Sequence, residues 1–547
     1  MKNKLLFIPV LLLLLAPVAL WAQAGSSIPV KIHISSHDDV YKFQKLGVGI
    51  EELRDGYIEA RVTKAKYDEL TTLGWKVEPR TIEKVDPEIA SQYHNYTQMT
   101  SFLDSIHTIY PAITKMISIG KSVQNRDLWA FLITDNPDSN ENEAEVRLAA
   151  NIHGDETVGR ELCLAMIDSL TKVYDSVSAI ANMVDSREIW FMPSLNPDGY
   201  ELNRRENANW VDLNRNFPVP DGSIGEDDTY SNEIETQRFI DFWSGKRAVL
   251  SLNYHGGALV ANYPWDYTVV RCPDDALAKE VSLGYSRLNP PMYASTVFDS
   301  GVTNGWDWYY VYGSLQDWSY NATSCLDITM EIGTKWPAAS QLPAFWSDNR
   351  GGMLFFIRQA GLGIQGLVTD SATGLPLDFA QVEVAGIDKP VYTDSIGDYH
   401  RMLLSGNYDL TYSKEGYFPK TISDVRVNYD SLTSLDVALA KDPVGVTGNP
   451  CEIVCQRITL LKTYPNPLRS AVTIAFQLSQ PSNCNLKIYN AAGQLVRIIF
   501  NRTLDPGTYD IIWDGADETG RKSAEGIYYY SLSAGEQRLT GKLVKIN

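Results

Sequence analysis

Three residues with metal-ligating side chains stand where short apolar runs end in this sequence: His153, Glu156 and His255. The first two lie in Asn151-Ile152-His153-Gly154-Asp155-Glu156, after the run Val146–Ile152 and before a segment carrying Leu162, Ala165, Met166 and Leu170 at helical spacing. Spacing alone says little, since seven histidines and 67 acidic residues in 547 give about one His-x-x-Asp/Glu pair by chance. Position says more. His255 repeats the placement, closing Leu250-Ser251-Leu252-Asn253-Tyr254 ahead of Gly256-Gly257. In open α/β sheets the ligand crevice lies beyond the carboxyl ends of the strands. Two neutral imidazoles and one carboxylate suit zinc and leave its fourth position to water, the arrangement of catalytic sites. A third run, Leu326–Met330, ends on Glu331. A carboxylate there is expensive to bury without a partner or a task. Beside an activated water it can take a proton and return it to a leaving amine. Singly, each residue is as well explained as a satisfied core histidine or a surface glutamate; together they point to hydrolysis.

The surrounding pattern supplies the scaffold. Residues 90–360 alternate strand and helix signals, predicting a mixed, mainly parallel sheet with helices on both faces. The runs Val146–Ile152, Ala248–Tyr254 and Cys325–Ile332 are short, poor in charge and bounded by turn residues, as buried strands are. From Gly363 the texture changes to short alternating strands, so residues 363–440 predict an all-β sandwich. Residues 441–457 form a linker with Pro443, Gly445, Gly448 and Pro450, and a second sandwich follows at 458–547. Ahead of the α/β region, residues 25–85 predict a small α+β unit. Its strands are Val30–Ser35, Tyr57–Val62 and Trp75–Glu78, with a helix over Lys64–Leu73 that Gly74 stops. A unit so placed is either a pro-segment or a permanent N-terminal domain.

Composition bounds the partners. A formal net charge of −19 leaves no basic excess for phosphates, which argues against nucleic acid. Residues 1–24 read as a signal peptide: Lys2 and Lys4, an apolar run from Leu5 to Trp21, and the small-x-small site Ala22-Gln23-Ala24. No later segment is apolar enough to span a bilayer. Export permits disulfides, and Cys272 and Cys325 are a conceivable pair among the six cysteines. Cys451-x-x-x-Cys455 lacks the second ligand pair that a zinc site needs.

Longer stretches carry a family resemblance. They are His153-Gly-Asp-Glu156-Thr-Val-Gly-Arg160-Glu161, Asn196-Pro-Asp-Gly-Tyr200-Glu201, Arg205-Glu-Asn-Ala-Asn209, Val211-Asp-Leu-Asn214-Arg215-Asn-Phe-Pro218 and His255-Gly-Gly-Ala-Leu-Val-Ala-Asn-Tyr-Pro264. Through them residues 90–440 resemble the zinc metallocarboxypeptidases, within them the regulatory branch that carries a transthyretin-like sandwich behind the catalytic domain. The resemblance implies one Zn2+ held by His153, Glu156 and His255, with Glu331 as general acid/base. It implies Arg205 at the scissile carbonyl, and Asn214, Arg215 and Tyr309 on the terminal carboxylate of a peptide or protein substrate. It further implies that Asp266, with Gln316 as its polar companion, selects basic side chains. The chemistry agrees, because a guanidinium grips a carboxylate through two hydrogen bonds and a buried carboxylate penalises an apolar side chain. Trp210 departs from the pattern, standing where the family often has glycine, and the loop at 219–235 is short.

The last module resembles something else. Tyr464-Pro-Asn-Pro467, Ile488-Tyr489-Asn-Ala-Ala-Gly493, Trp513-Asp-Gly515, Gly526-Ile-Tyr-Tyr-Tyr530 and a final strand ending in Lys545 are similar to bacterial type IX secretion sorting domains. That resemblance implies an exported, surface-located protein whose C-terminal module meets secretion machinery. Three other readings compete: an inactive binding module on the same fold, a peptidase acting on diaminopimelate-containing wall peptides, and an adhesin built on the sandwiches.

Overall fold

The computed structural model describes residues 28–79 and 458–545 with short breaks, and residues 93–221, 232–428 and 431–442 throughout. The leader, Cys451, Cys455 and nearly all of the linker lie outside the described residues. Strands β1 (Ile28–His33), β2 (Ile50–Arg54), β3 (Tyr57–Val62) and β4 (Val77–Pro79) form an antiparallel sheet in the order β2-β3-β1-β4. The helix Lys64–Thr72 packs Leu70 beneath it, capped at its start by Thr63. Strand β2 has no counterpart in the sequence reading; its Glu51-Glu52 pair breaks the apolar alternation.

The α/β region is built on β5 (Thr114–Lys121), β6 (Asp127–Ile133), β7 (Ala144–Ala150), β8 (Arg187–Met192), β9 (Ala248–His255), β10 (Leu259–Tyr263), β11 (Val302–Asn304) and β12 (Leu326–Ile332). They form one mixed sheet, β11-β10-β12-β9-β7-β8-β6-β5. Its centre, β12-β9-β7-β8, is parallel, and antiparallel pairs join β10, β6 and β5 to it. Alternation along each strand splits the core in two. Ile189 and Phe191 face the helices Val158–Val173, Asp275–Arg287 and Leu342–Ala360; Trp190 and Met192 face Ile234–Trp243 and Leu315–Thr323. Both faces being covered, β8, β9 and β12 are buried at every position, which explains why apolar residues fall on both of their faces. The conceivable Cys272–Cys325 bridge does not form. Both thiols are free and buried, in clusters on opposite faces of the sheet.

One polar row crosses this apolar centre. Arg147, Ser251 and Asp327 are register partners on β7, β9 and β12. Arg147 donates from Nε to Ser251 Oγ at 2.9 Å and from Nη2 to Asp327 Oδ2 at 2.9 Å.

Residues Gly363–Leu439 make two facing sheets around Val368, Val382, Tyr399 and Leu410. The C-terminal unit, Pro443–Asn547, holds a three-stranded and a four-stranded sheet around Phe476, Leu486, Trp513 and Leu532. Among the described residues no helix is long and apolar enough to cross a membrane.

Candidate metal centre and substrate cavity

The turn after β7 carries His153 and Glu156; β7 ends at Ala150, two residues before the end of the run Val146–Ile152. Asn151, at φ 57°, makes the turn. Asparagine tolerates that left-handed backbone, and its buried Nδ2 donates to the carbonyls of His153 (2.9 Å), Gly154 (3.2 Å) and Glu156 (3.2 Å). Gly154 has no room for a side chain, since a Cβ there would lie 2.1 Å from the Gly199 carbonyl carbon. His255 closes β9, and Glu331, its register partner on β12, sits one residue before that strand ends.

His153 Nδ1, His255 Nδ1 and Glu156 Oε2 form a triangle with sides of 3.0, 3.0 and 3.1 Å. A point about 2.0–2.1 Å from all three, zinc's distance to such ligands, lies about 1 Å off their plane. His153 Nε2 meets Asp212 Oδ1 at 3.0 Å. That contact puts the ring proton on Nε2 and leaves Nδ1, which Arg205 Nη1 also approaches at 3.1 Å, facing the triangle, the carboxylate–histidine arrangement that orients metal ligands. Two imidazole lone pairs and a carboxylate oxygen facing one point repel each other unless a cation lies between them. The residues therefore fit one zinc ion.

Charge around the triangle is arranged to keep the carboxylates ionised. Burial opposes ionisation of Glu156, but His153 and Lys335 outweigh it and hold its pKa well below the usual range. Lys335 Nζ lies 3.5 Å and Arg205 Nη1 3.4 Å from Glu156 Oε1, while the Gly256 N–H donates to Oε2 at 3.1 Å. Burial lowers His255 to about 4, so its ring is neutral and able to ligate at neutral pH. Asp212 is also held low, against burial, by Arg205 and His153.

Arg205 is buried and clamped by Asp212, which accepts from Nε at 2.9 Å and lies 2.8 Å from Nη2. Asp212 also caps the 3-10 turn Leu213–Arg215 by accepting from Asn214 N at 2.9 Å. Asn214 Oδ1 accepts from Leu315 N at 2.9 Å, which leaves the amide NH2 to face the other way. Arg215 is buried too, and its Nη1 donates to the Asn214 carbonyl. Tyr309 follows the short helix Gly305–Trp308 and is half-buried, its ring 4.7 Å from that of Trp308.

Asp266 is 3% exposed and accepts on Oδ1 from Gln316 Nε2 at 3.0 Å and Asn262 Nδ2 at 3.2 Å. Burial pushes its pKa up to about 6. Gly305 leaves it space, because a Cβ there would lie 1.9 Å from Asp266 Oδ1. One cavity is lined by the metal-ligand triad, Arg205, Asn214, Arg215, Asp266, Tyr309 and Glu331, with Asn262, Trp308, Val311 and Thr329. Gln316 borders it only through Asp266 and through Thr329, whose N–H donates to Gln316 Oε1. Sequence reasoning missed Asn151, Asp212, Asn262 and Lys335. Asp212 and Asn262 lie inside the quoted stretches and are exposed only by their contacts. Trp210 stays outside the cavity lining, 68% exposed at φ 67°, with Arg204 over its ring at 3.9 Å. That left-handed backbone is one glycine adopts freely.

A twisted mixed sheet with two histidines and a carboxylate at its strand ends, opening on a carboxylate- and guanidinium-lined cavity, defines a mononuclear metal centre of the open kind. Residues 99–352 match the zinc carboxypeptidase family, residues 363–440 the carboxypeptidase regulatory-like domain, and residues 468–538 the FlgD Ig-like domain. Carboxypeptidase D of Anas platyrhynchos is 37% identical over 424 residues, covering 71% of this chain and 30% of that protein. The chain thus spans under a third of that relative's length. Carboxypeptidase M of Mus musculus is 37% identical over 354 residues, covering 60% of this chain and 79% of that one. Among solved structures, carboxypeptidase A from Helicoverpa armigera shares the fold, with a TM-score of 0.51 at 16% identity over 61% of this chain and 97% of that one. The chain belongs to the zinc carboxypeptidase family.

Proposed function

We propose that this protein is an exported exopeptidase that hydrolyses the last peptide bond of its substrate and prefers C-terminal lysine or arginine. The supporting observation is that one cavity joins the metal triangle to Arg205, Asn214, Arg215 and the buried carboxylate of Asp266. Zinc, when bound by His153, Glu156 and His255, would supply Lewis-acid activation of water and of the scissile carbonyl. Asn214 and Arg215 hold the substrate's terminal carboxylate, which makes a free C-terminus the recognised feature. Arg205, fixed by Asp212, donates to the carbonyl oxygen as negative charge develops there. Glu331, 7% exposed and accepting from Ala258 N at 3.4 Å, takes the proton from water and passes it to the departing nitrogen. Tyr309 covers the bound residue, and Asp266 faces its side chain.

Release of Arg, Lys or Phe from matched blocked dipeptides, with and without chelator, tests this reading. Chelator-sensitive release of Arg and Lys ahead of Phe is expected. No release from any of them would sink the exopeptidase and leave a binding module. Preferential release from diaminopimelate-containing peptides would move the substrate to the cell wall. The C-terminal unit acts as a sorting address recognised by secretion machinery; the motifs Tyr464-Pro-Asn-Pro467, Trp513-Asp-Gly515 and Gly526-Ile-Tyr-Tyr-Tyr530 support that role. Deleting residues 458–547 should then retain the enzyme inside the outer membrane without lowering its specific activity.

A further inference from the structure

The N-terminal unit packs on the α/β region at Trp308, a residue that also lines the cavity. Eight buried residues of the unit, among them Ile32, Ile58 and Leu70, form one apolar cluster with Val260, Phe298 and Trp308. Ala258 and Tyr309 pack against the same cluster. These are not arbitrary surface positions. Val260 is the register partner of Glu331, and the Ala258 N–H donates to Glu331 Oε2. The Trp308 ring touches Phe298 at 5.4 Å on one side and Tyr309 at 4.7 Å on the other. Among the described residues, none of 28–79 lines the cavity. An inhibitory cap would have to line or fill that space; the described residues of this unit do not line it, and instead share a core with two segments that border it.

We propose that residues 28–79 are a retained part of the working enzyme, docked so as to hold Ala258–Val260 behind Glu331 and Trp308 behind Tyr309. The proposal rests on the exopeptidase reading for its kinetic consequences, not for the docking itself. Taking the unit away would strip cover from Val260, Phe298 and Trp308 and leave an apolar patch beside the site, an arrangement soluble proteins avoid. Holding Tyr309 through Trp308 is a positioning role, so its loss should appear first in KM.

A recognition sequence for a specific endoprotease, inserted between residues 80 and 92, allows the zinc-loaded full chain to be cut. Residues 28–79 should co-elute with the remainder on gel filtration, and kcat and KM for a C-terminal Arg dipeptide should stay within about twofold of the uncut chain. Phe298→Ser, which opens the junction from the other side, should raise KM about tenfold with zinc content unchanged. Adding Tyr309→Phe to Phe298→Ser should then cost less than it costs alone, because both changes act on one ring. A rise in kcat/KM on cutting would overturn the proposal in favour of an inhibitory pro-segment. Separate elution of the unit with full activity would overturn it in favour of a dispensable domain. If the uncut chain releases nothing from any dipeptide, the exopeptidase reading fails, and co-elution still decides whether the unit is retained.

Discussion

Asp266→Asn removes the carboxylate charge from the cavity lining while keeping the side chain's size and shape. The carboxylate is 3% exposed, and its Oδ1 already accepts from Gln316 and Asn262. An asparagine oxygen can take over both bonds, while its NH2 replaces the other oxygen and turns an acceptor into a donor. A charge-assisted hydrogen bond contributes about 1.5–3 kcal/mol, so kcat/KM for a C-terminal Arg substrate should fall about ten- to 150-fold. The same substrate ending in Phe should gain, because a buried charge left unpaired by an apolar side chain is gone. The pH dependence gives an independent check. Burial pushes Asp266 up to about 6, against hydrogen bonds from Ser314 and Asn262 and the nearby Arg215. The group is therefore neutral below that pH and charged above it. The ratio of Arg to Phe release should climb as pH rises through about 6 in the wild type and stay flat in Asp266→Asn. Steady-state release from paired blocked dipeptides between pH 5 and 8, at constant ionic strength, measures both effects. An Arg/Phe ratio indifferent to the substitution, or already below one in the wild type, would refute the assignment of Asp266.

Other substitutions separate the remaining roles. Glu331→Gln should keep its zinc, measured by metal analysis, and lose about 10²–10⁴ in kcat/KM; loss of the metal would mean that Glu331 is a ligand. Asp212→Asn should weaken zinc binding about 10- to 100-fold in a chelator competition, because the His153 proton contact at 3.0 Å loses its charge. Asp327→Leu leaves the Arg147 charge buried without its partner and should cost about 3–5 kcal/mol in urea unfolding of the α/β unit.

What the sequence made legible follows from what a linear pattern can encode. The runs around Leu148, Leu252 and Ile328 announced buried strands because both faces of their sheet are covered, and such strands lose the polar alternation. The ligands were legible through the long stretches that contain them, and Asp266, which lies just beyond the last of these, through its place eleven residues after His255. Asp212 was not, since its importance is three simultaneous contacts, to His153, Arg205 and Asn214 N, made by folding one turn against another. The aromatic run from Trp306 to Tyr310 carries no local sign of which ring goes where. In the fold, Trp308 is buried in the core shared with residues 28–79 and also lines the cavity, Trp306 and Tyr310 stack on each other half-exposed, and Tyr309 borders the cavity. Nothing local in Trp308 says that a segment more than two hundred residues away covers it.

The buried Arg147–Ser251–Asp327 row connects fold to chemistry most directly. Ser251 and Asp327 are register partners, and so, four residues further along the same two strands, are His255 and Glu331. A strand slipped by one residue turns every side chain to the other face. Apolar neighbours such as Leu250, Leu252 and Ile328 would tolerate that exchange, because both faces of the sheet are apolar. The ion pair would not. With side-chain exposures of 1% and 0%, Arg147 and Asp327 satisfy each other in one register only. A buried pair of this kind adds little stability over an apolar replacement of equal volume. Its value here is that it fixes β9 and β12 in the one alignment that sets a metal ligand beside the group proposed to move the proton.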